Sequence, residues 1–121
     1  MKKSAIAYHI LRYGFTALFI WFGLSQLISP DRWTSFIPEW VTALSGLSAH
    51  SFVLLNGGAE IFLAFCLAFD VMVHLVAPLL FLHMMGIALD IGVTPVGVRD
   101  FGLAISLLAF SVLSRDSEFV E

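Results

Sequence analysis

Four apolar runs, each about as long as a lipid bilayer is thick, dominate the sequence. They cover residues 10–28, 51–69, 71–89 and 99–113. A helix of about 19 residues is about 28 Å long at 1.5 Å per residue, which matches the hydrocarbon core of a bilayer. The pattern therefore predicts an all-α fold, an integral membrane four-helix bundle that forms a single domain over residues 1–121.

The composition agrees with a membrane protein and excludes several other classes. Hydrophobic residues make up 60% of the chain and charged residues 12%, against about 45–50% and about 25% in soluble domains. The net charge is −3 without a basic stripe, so we expect no nucleic acid partner. One cysteine, Cys66, cannot form an intramolecular disulfide or a thiolate-rich zinc site. Its expected role is helix packing.

A helical stripe on the first span contains both of the strongly polar residues of that span. Its members recur at helical spacing and are Arg12, Thr16, Phe19, Gly23 and Gln26. Because polar groups are costly in hydrocarbon, we expect this stripe to face the inside of the bundle. For Arg12, at the inner end, the alternative is that its side chain extends to the inner headgroups.

The segment between the first two spans, residues 29–49, is too polar and too interrupted to cross a membrane. Trp33, Phe36 and Trp40 alternate there with polar residues, and Pro38 breaks the segment. Such a composition is typical of an interfacial segment with indole rings at headgroup depth. Two roles stay open, an aromatic membrane anchor, which is the more ordinary one, and a lid over the mouth of the bundle.

The second span carries an acid well inside an apolar run. Asn56 and Glu60 are four residues apart, so both project from one face of the helix. Gly57, Gly58 and Ala59 beside them are expected to allow a neighbouring helix to come close. An ionisable group in hydrocarbon costs from about 2.5 to over 10 kcal/mol, depending on how it is measured, so Glu60 must face protein or water.

Other polar residues fall in the same outer half of the predicted bundle. His83 in the third span lies at a depth similar to that of Glu60 if the two helices are antiparallel. A polar pocket that opens outward is predicted from Glu60, His83, Asn56, Gln26, Asp90, Arg99 and Asp100. The ordinary alternatives are a hydrogen-bonded core role for His83 and a capping role for Asp100, paired with Arg99, at the start of the last helix.

Orientation and cofactors follow from charge and histidine positions. With both termini inside, the inner face carries four basic residues and the outer face carries Arg32 and Arg99, which favours an N-in/C-in topology. Residues 90–98 are predicted to form a Gly/Pro loop, and residues 114–121 a polar tail. The histidines give no pair at matching depth well inside the bundle, so haem is not expected, nor is a metal site.

The order of several short motifs resembles the DoxX family of small four-span membrane proteins. These motifs are Leu11-Arg12 and Trp21-Phe22-Gly23-Leu24-Ser25 in the first span, Trp33…Pro38-x-Trp40 after it, Gly57-x-x-Glu60 in the second span, His83 in the third, and Val98-Arg99-Asp100-Phe101-Gly102-Leu103-Ala104 near the last. The resemblance covers essentially the whole chain and depends on the order and spacing of the motifs.

The resemblance implies a membrane subunit linked to quinone chemistry, in a prokaryotic-type plasma membrane. Related DoxD and DoxA proteins form a thiosulfate:quinone oxidoreductase, and other relatives act as assembly factors. The first hypothesis is a subunit of a quinone-linked oxidoreductase in which Glu60 and His83 face a quinone, with no covalently bound cofactor, and Arg99 attracts an anion. The second is a structural subunit or assembly factor. Expected partners are the lipid bilayer and other membrane subunits, or further copies of the chain.

Overall fold

The computed structural model describes residues 2–115, and these residues form helices and turns without a strand. Residues 1 and 116–121, and with them most of the predicted polar tail, lie outside the described residues. The helices are α1 (Lys3–Ile28), α2 (Glu39–Ser45), α3 (Ala49–Ala68), α4 (Val73–Ile91) and α5 (Pro95–Ser114), with two short 3-10 turns, Pro30–Arg32 and Thr34–Phe36, between α1 and α2.

Four of the described helices, α1, α3, α4 and α5, are long and apolar enough to cross a membrane. This confirms the predicted class, an all-helical protein with four membrane-length helices. The segment between α1 and α3 contains only short helical turns, as its proline and polar residues predict. The first helix begins at Lys3, well before the predicted start at residue 10, because nothing in residues 3–9 breaks a helix.

The predicted loop over residues 90–98 is present but shorter, because only residues 92–94 lie between the two helices. Helix α4 continues to Ile91, and α5 already begins at Pro95. Gly92 ends α4 in a positive-φ conformation (φ 81°) that glycine adopts at no steric cost. The Thr94 hydroxyl accepts a hydrogen bond from the Gly97 amide at 3.0 Å and caps α5, with proline in the first turn. The predicted capping role of Asp100 is therefore wrong, since Asp100 lies inside the helix.

The four long helices pack as two antiparallel pairs. Helix α1 lies against α3, and α4 lies against α5, with less contact between the pairs. Aromatic and aliphatic side chains fill the centre, and Phe19, Leu80, Leu107 and Phe110 are completely buried there. The predicted stripe on α1 does face inward, because all five of its members are buried. Cys66 is partly buried and packs against this core, as expected.

Helices α1 and α3 approach each other closely at a pair of glycines. A Cβ atom placed on Gly57 would lie 2.9 Å from the Gly23 carbonyl oxygen, and one placed on Gly23 would lie 2.8 Å from the Gly57 carbonyl oxygen. The prediction that Gly57 allows a close approach is confirmed. It is wrong for Gly58, which has open space beside it, and for Ala59, which is exposed, because both point away from α1.

Arg12 fastens the start of α1 to the end of α3, at the end of the bundle that we call the Arg12 end. Its side chain is only 6% exposed, and its guanidinium donates hydrogen bonds of 2.7 Å to the carbonyls of both Leu67 and Ala68. Carbonyls in the last turn of a helix lack helical partners and carry partial negative charge. An extension of Arg12 to the headgroups is therefore wrong. Nearby, the Tyr8 hydroxyl donates to Asp70 at 2.8 Å.

Candidate functional site

A pocket opens at the opposite end of the bundle, where α1 ends and α3 begins, which we call the Trp33 end. Most of its lining is apolar, from residues such as Phe22, Val53, Met84, Ile87 and Ile91, and its polar residues are Gln26, Asn56, Glu60, Arg99 and Asp100. Together with the open solvent at its mouth, the empty space of the pocket is about 600 Å³.

Glu60 lies at the centre of a hydrogen-bond network that joins three helices. Its Oε1 atom accepts from the Asn56 amide nitrogen at 3.0 Å and contacts His83 Nε2 at 2.9 Å. Its Oε2 atom accepts from the Gln26 amide nitrogen at 3.1 Å. The side chain is 6% exposed, and Glu60 is close to the middle of α3, so the acid is held at mid-span by partners from α1, α3 and α4.

The two amide groups of this network use all of their N–H bonds within the protein. Asn56 Nδ2 donates to Gln26 Oε1 at 2.7 Å and to Glu60 at 3.0 Å. Gln26 Nε2 donates to Glu60 and to the Phe22 carbonyl, each at 3.1 Å. An amide NH2 has two N–H donors, so neither amide keeps one for a ligand. Of the partners of Glu60, His83 alone can both give and take a proton.

His83 lies behind Glu60 and does not line the pocket. Its side chain is 31% exposed, and among residues 2–115 its Nδ1 atom has no hydrogen-bond partner. The ring therefore connects the buried carboxyl group to the outside of the bundle near the middle of α4. A histidine in this position can relay a proton, since one nitrogen contacts the acid while the other is accessible.

Arg99 and Asp100 form a second polar group at the mouth of the pocket. Asp100 Oδ1 accepts hydrogen bonds from Arg99 Nε at 3.2 Å and from Arg99 Nη2 at 3.1 Å. The Asp100 side chain is 7% exposed, whereas that of Arg99 is 56% exposed. The acid is therefore fixed in the wall, and its basic partner extends towards the surrounding medium.

The segment between α1 and α2 folds over the mouth. The Trp33 indole nitrogen donates to the Ser25 hydroxyl at 3.0 Å, and the ring packs edge-on against Phe22 at 5.8 Å between centroids. Trp33, Phe36 and Ile37 line the pocket. This placement fits the geometry of a lid. Trp40 is 60% exposed and is the residue of this segment best placed to act as an anchor.

The structure brings together most of the residues that the sequence singled out. Glu60, His83, Asn56 and Gln26 form one network, and Arg99 and Asp100 line the same pocket. Asp90 is exposed and does not line the pocket, so it does not join them. The other histidines lie elsewhere: His50 is within 3.2 Å of Asp31 on the surface, and His9 accepts from Arg12 at the Arg12 end.

Sequence reasoning missed the apolar wall of the pocket. Ile87, Ile91 and Val96 line it together with Met84, but in a chain of this composition such residues carry no distinguishing signal. Among residues 2–115, no group of three or more His, Cys, Asp or Glu residues is arranged to hold a metal ion. The polar side chains of the pocket offer carboxylate, amide and guanidinium groups for hydrogen bonding.

Comparison with known proteins adds no relative. No protein-family model matches the chain, and neither a curated protein nor a solved structure matches it.

Proposed function

We propose that this protein is the membrane subunit of a quinone-linked oxidoreductase assembly, in which the pocket holds a quinone-type headgroup and Glu60 with His83 carries protons. The observation that carries this proposal is a carboxyl group at mid-span, in contact with a histidine and lining a mostly apolar pocket. Ionisable groups inside membranes mark ion, proton or substrate pathways more often than structural roles.

The pocket lining supports a ring-shaped, lipophilic ligand. Phe22, Trp33 and Phe36 supply aromatic surface near the mouth, and aliphatic side chains supply the wall. Ligand sites of this kind combine an apolar lining with a few polar groups that fix orientation. A quinone headgroup has that chemistry, and its reduction or oxidation moves protons as well as electrons. The electrons would come from or go to a redox centre on a partner subunit.

The Glu60–His83 pair supplies the proton route in this proposal. Glu60 lines the pocket, and His83 contacts Glu60 without lining the pocket. The two side chains are 2.9 Å apart, a hydrogen-bond distance. A proton released in the pocket would pass to Glu60 and be shared with His83 Nε2 across this contact. General acid–base groups of this type contribute typically about 10²–10⁴-fold to a rate.

The test replaces Glu60 by Gln in the native membrane. Glu60→Gln keeps the size and most hydrogen bonds of the side chain but removes the group that carries the proton. We expect quinone-dependent turnover of the isolated membranes to fall by about 100-fold, within the range for acid–base groups. The matched control is Asp90→Asn, which removes an exposed acid outside the pocket and should leave turnover unchanged. A fully active Glu60→Gln variant would refute the proposal.

The second candidate is a structural subunit or assembly factor, in which the network only holds the helices together. It is favoured by one observation: every fully buried side-chain nitrogen and oxygen atom in residues 2–115 has a hydrogen-bond partner. Such interhelical bonds contribute about 0.6 kcal/mol each on average in membranes. In this case Glu60→Gln would leave activity intact, while a bulky residue at Gly23 or Gly57 would disrupt assembly.

Membership of the DoxX family, the prokaryotic-type plasma membrane and the N-in/C-in topology belong to the same proposal. The topology is supported by the charge distribution, since Lys2, Lys3 and Arg115 lie at the Arg12 end and Arg32 and Arg99 at the Trp33 end. It places the pocket mouth on the outer side. Native mass spectrometry of gently extracted membranes would identify the partner subunits, or show a homo-oligomer.

A further inference from the structure

Some hydrogen-bonding atoms of the pocket have no partner among residues 2–115. These atoms restrict the chemistry of the ligand more than the shape of the pocket does. The Asn56 and Gln26 amide groups donate all of their N–H hydrogen bonds to other groups of the protein. The acceptor side is different. Asn56 Oδ1 and Asp100 Oδ2 have no hydrogen-bond partner among residues 2–115, although both residues line the pocket.

These two oxygen atoms keep some exposed surface, and both belong to residues that line the pocket. No fully buried side-chain oxygen in the described part of the chain lacks a partner, so neither atom is sealed inside the protein. Asp100 is particularly informative because its side chain is 93% buried, given its 7% exposure, and both bonds from Arg99 go to Oδ1. Oδ2 is therefore an accessible acceptor that Arg99 leaves unused, and a ligand in the pocket can supply a donor to it.

The charges of the pocket point in the same direction. Two acids, Glu60 and Asp100, line it, against one base, Arg99. The Arg99 side chain is more than half exposed, and its guanidinium is already paired with Asp100. An anion would therefore compete with Asp100 for Arg99. This arrangement disfavours a sulfur oxyanion and favours a neutral ligand that donates hydrogen bonds.

We infer that the pocket recognises a hydroxyl-bearing aromatic ligand, the quinol form of the headgroup rather than the quinone. The hydroxyl hydrogen atoms donate to Asp100 Oδ2 and Asn56 Oδ1, while the ring packs on the aromatic lining near Trp33. A quinone has carbonyl acceptors and no donors, so it cannot satisfy either oxygen. This inference rests on the proposed function, because it takes the pocket to be the headgroup site, and it names the redox form that the site holds.

The test measures binding of three matched compounds to the full chain in lipid nanodiscs under anaerobic conditions. They are a short-chain benzoquinol, the corresponding benzoquinone and the dimethyl ether of the quinol, which has the same ring but no donor. Quenching of tryptophan fluorescence reports binding, and a Trp33→Phe variant identifies the part of the signal that comes from the pocket. We expect the quinol to bind at least about tenfold more tightly than either of the other two, a factor typical of one good hydrogen bond.

Asp100→Asn gives the second measurement. It preserves size but replaces the carboxylate by an amide. We expect the preference for the quinol over the ether to fall, with only the Asn56 acceptor left unchanged. Asp90→Asn, an acid-to-amide change at an exposed position outside the pocket, is the control and should keep the full preference. The comparison of the three compounds on the unmodified protein stands even if Asp100→Asn fails to fold.

The outcomes separate this inference from the proposed function. Binding of the quinone as tightly as the quinol would overturn the inference and leave the quinone site standing. A quinol preference that is as large in Asp100→Asn as in the unmodified protein would do the same. Competition by thiosulfate would also overturn it, because an anion would then be the preferred ligand. If none of the three aromatic compounds binds, both the inference and the proposed headgroup site fail together.

Discussion

A single methyl group at Gly57 should separate α1 from α3. A Cβ atom there would lie 2.9 Å from the Gly23 carbonyl oxygen and 2.9 Å from Gln26 Cβ, whereas carbon atoms in good contact are about 3.5–4.0 Å apart. One of these neighbours belongs to the backbone and cannot rotate away. The helices must therefore move apart by about 0.5 Å, which already weakens the dispersion contacts along the interface.

The expected cost of Gly57→Ala is about 1–3 kcal/mol of unfolding free energy, as for other overpacked sites. The Gln26–Glu60 hydrogen bond, 3.1 Å long in the structure, lies one turn from the new methyl group and would stretch beyond bonding distance. The chain provides a matched control in Gly58, which has open space beside it. Gly58→Ala should be neutral or stabilising by up to about 1 kcal/mol, because alanine favours the helix.

The assay is unfolding of both variants in mixed micelles with increasing dodecyl sulfate, followed by circular dichroism. We expect the midpoint of Gly57→Ala to fall well below that of the unmodified protein, and that of Gly58→Ala to match or exceed it. Equal midpoints for the two variants would refute the reasoning, since they differ in nothing except the face of α3 that receives the methyl group.

Two further predictions concern the Arg12 end and the short connection before α5. Arg12→Leu removes the donor to the Leu67 and Ala68 carbonyls and should lower the free energy of unfolding by about 2–6 kcal/mol, at about 1–3 kcal/mol for each of the two hydrogen bonds left unmade. Arg12→Lys should recover part of this loss. An unchanged unfolding midpoint for Arg12→Leu would contradict the capping role. Gly97→Ala places a methyl group against the Gly92 carbonyl oxygen and should lower the thermal unfolding midpoint in detergent. Gly102→Ala is the control, because Gly102 has open space beside it, and it should leave the midpoint unchanged. Equal losses for the two variants would show that the contact with Gly92 is unimportant.

The Glu60 network is predictable from the sequence because two simple quantities place its members. Helical periodicity puts Asn56 and Glu60 on one face, and distance along each span sets the depth of Glu60 and His83. The same reasoning fails for Asp90. It lies seven residues after His83 and near the same face, but both residues sit at the edge of the buried stripe of α4, which runs through Leu80, Met84 and Ala88. His83 reaches Glu60 from that edge, and Asp90 faces outward.

The start of α5 and the pocket wall needed three-dimensional information. Thr94, Pro95 and Gly92 together form a tight connection between α4 and α5, but a Gly- and Pro-containing stretch is equally compatible with a longer loop. The role of Arg12 depends on α3 ending beside it, which no feature of the first span specifies. Contacts between helices far apart in the sequence are set by packing, so a single sequence indicates which residues need a partner without identifying that partner.

The bonds of Arg12 also bear on how the chain enters the membrane. Its carbonyl partners belong to residues 67 and 68, which follow Arg12 by 55 and 56 residues and are therefore synthesised later. Until then a charged side chain in the first helix costs about 2.5–3.5 kcal/mol at the bilayer centre on the insertion scale. We therefore expect the start of α1 to stay near the headgroups until the end of α3 packs against it. The bundle would then assemble first at the Arg12 end.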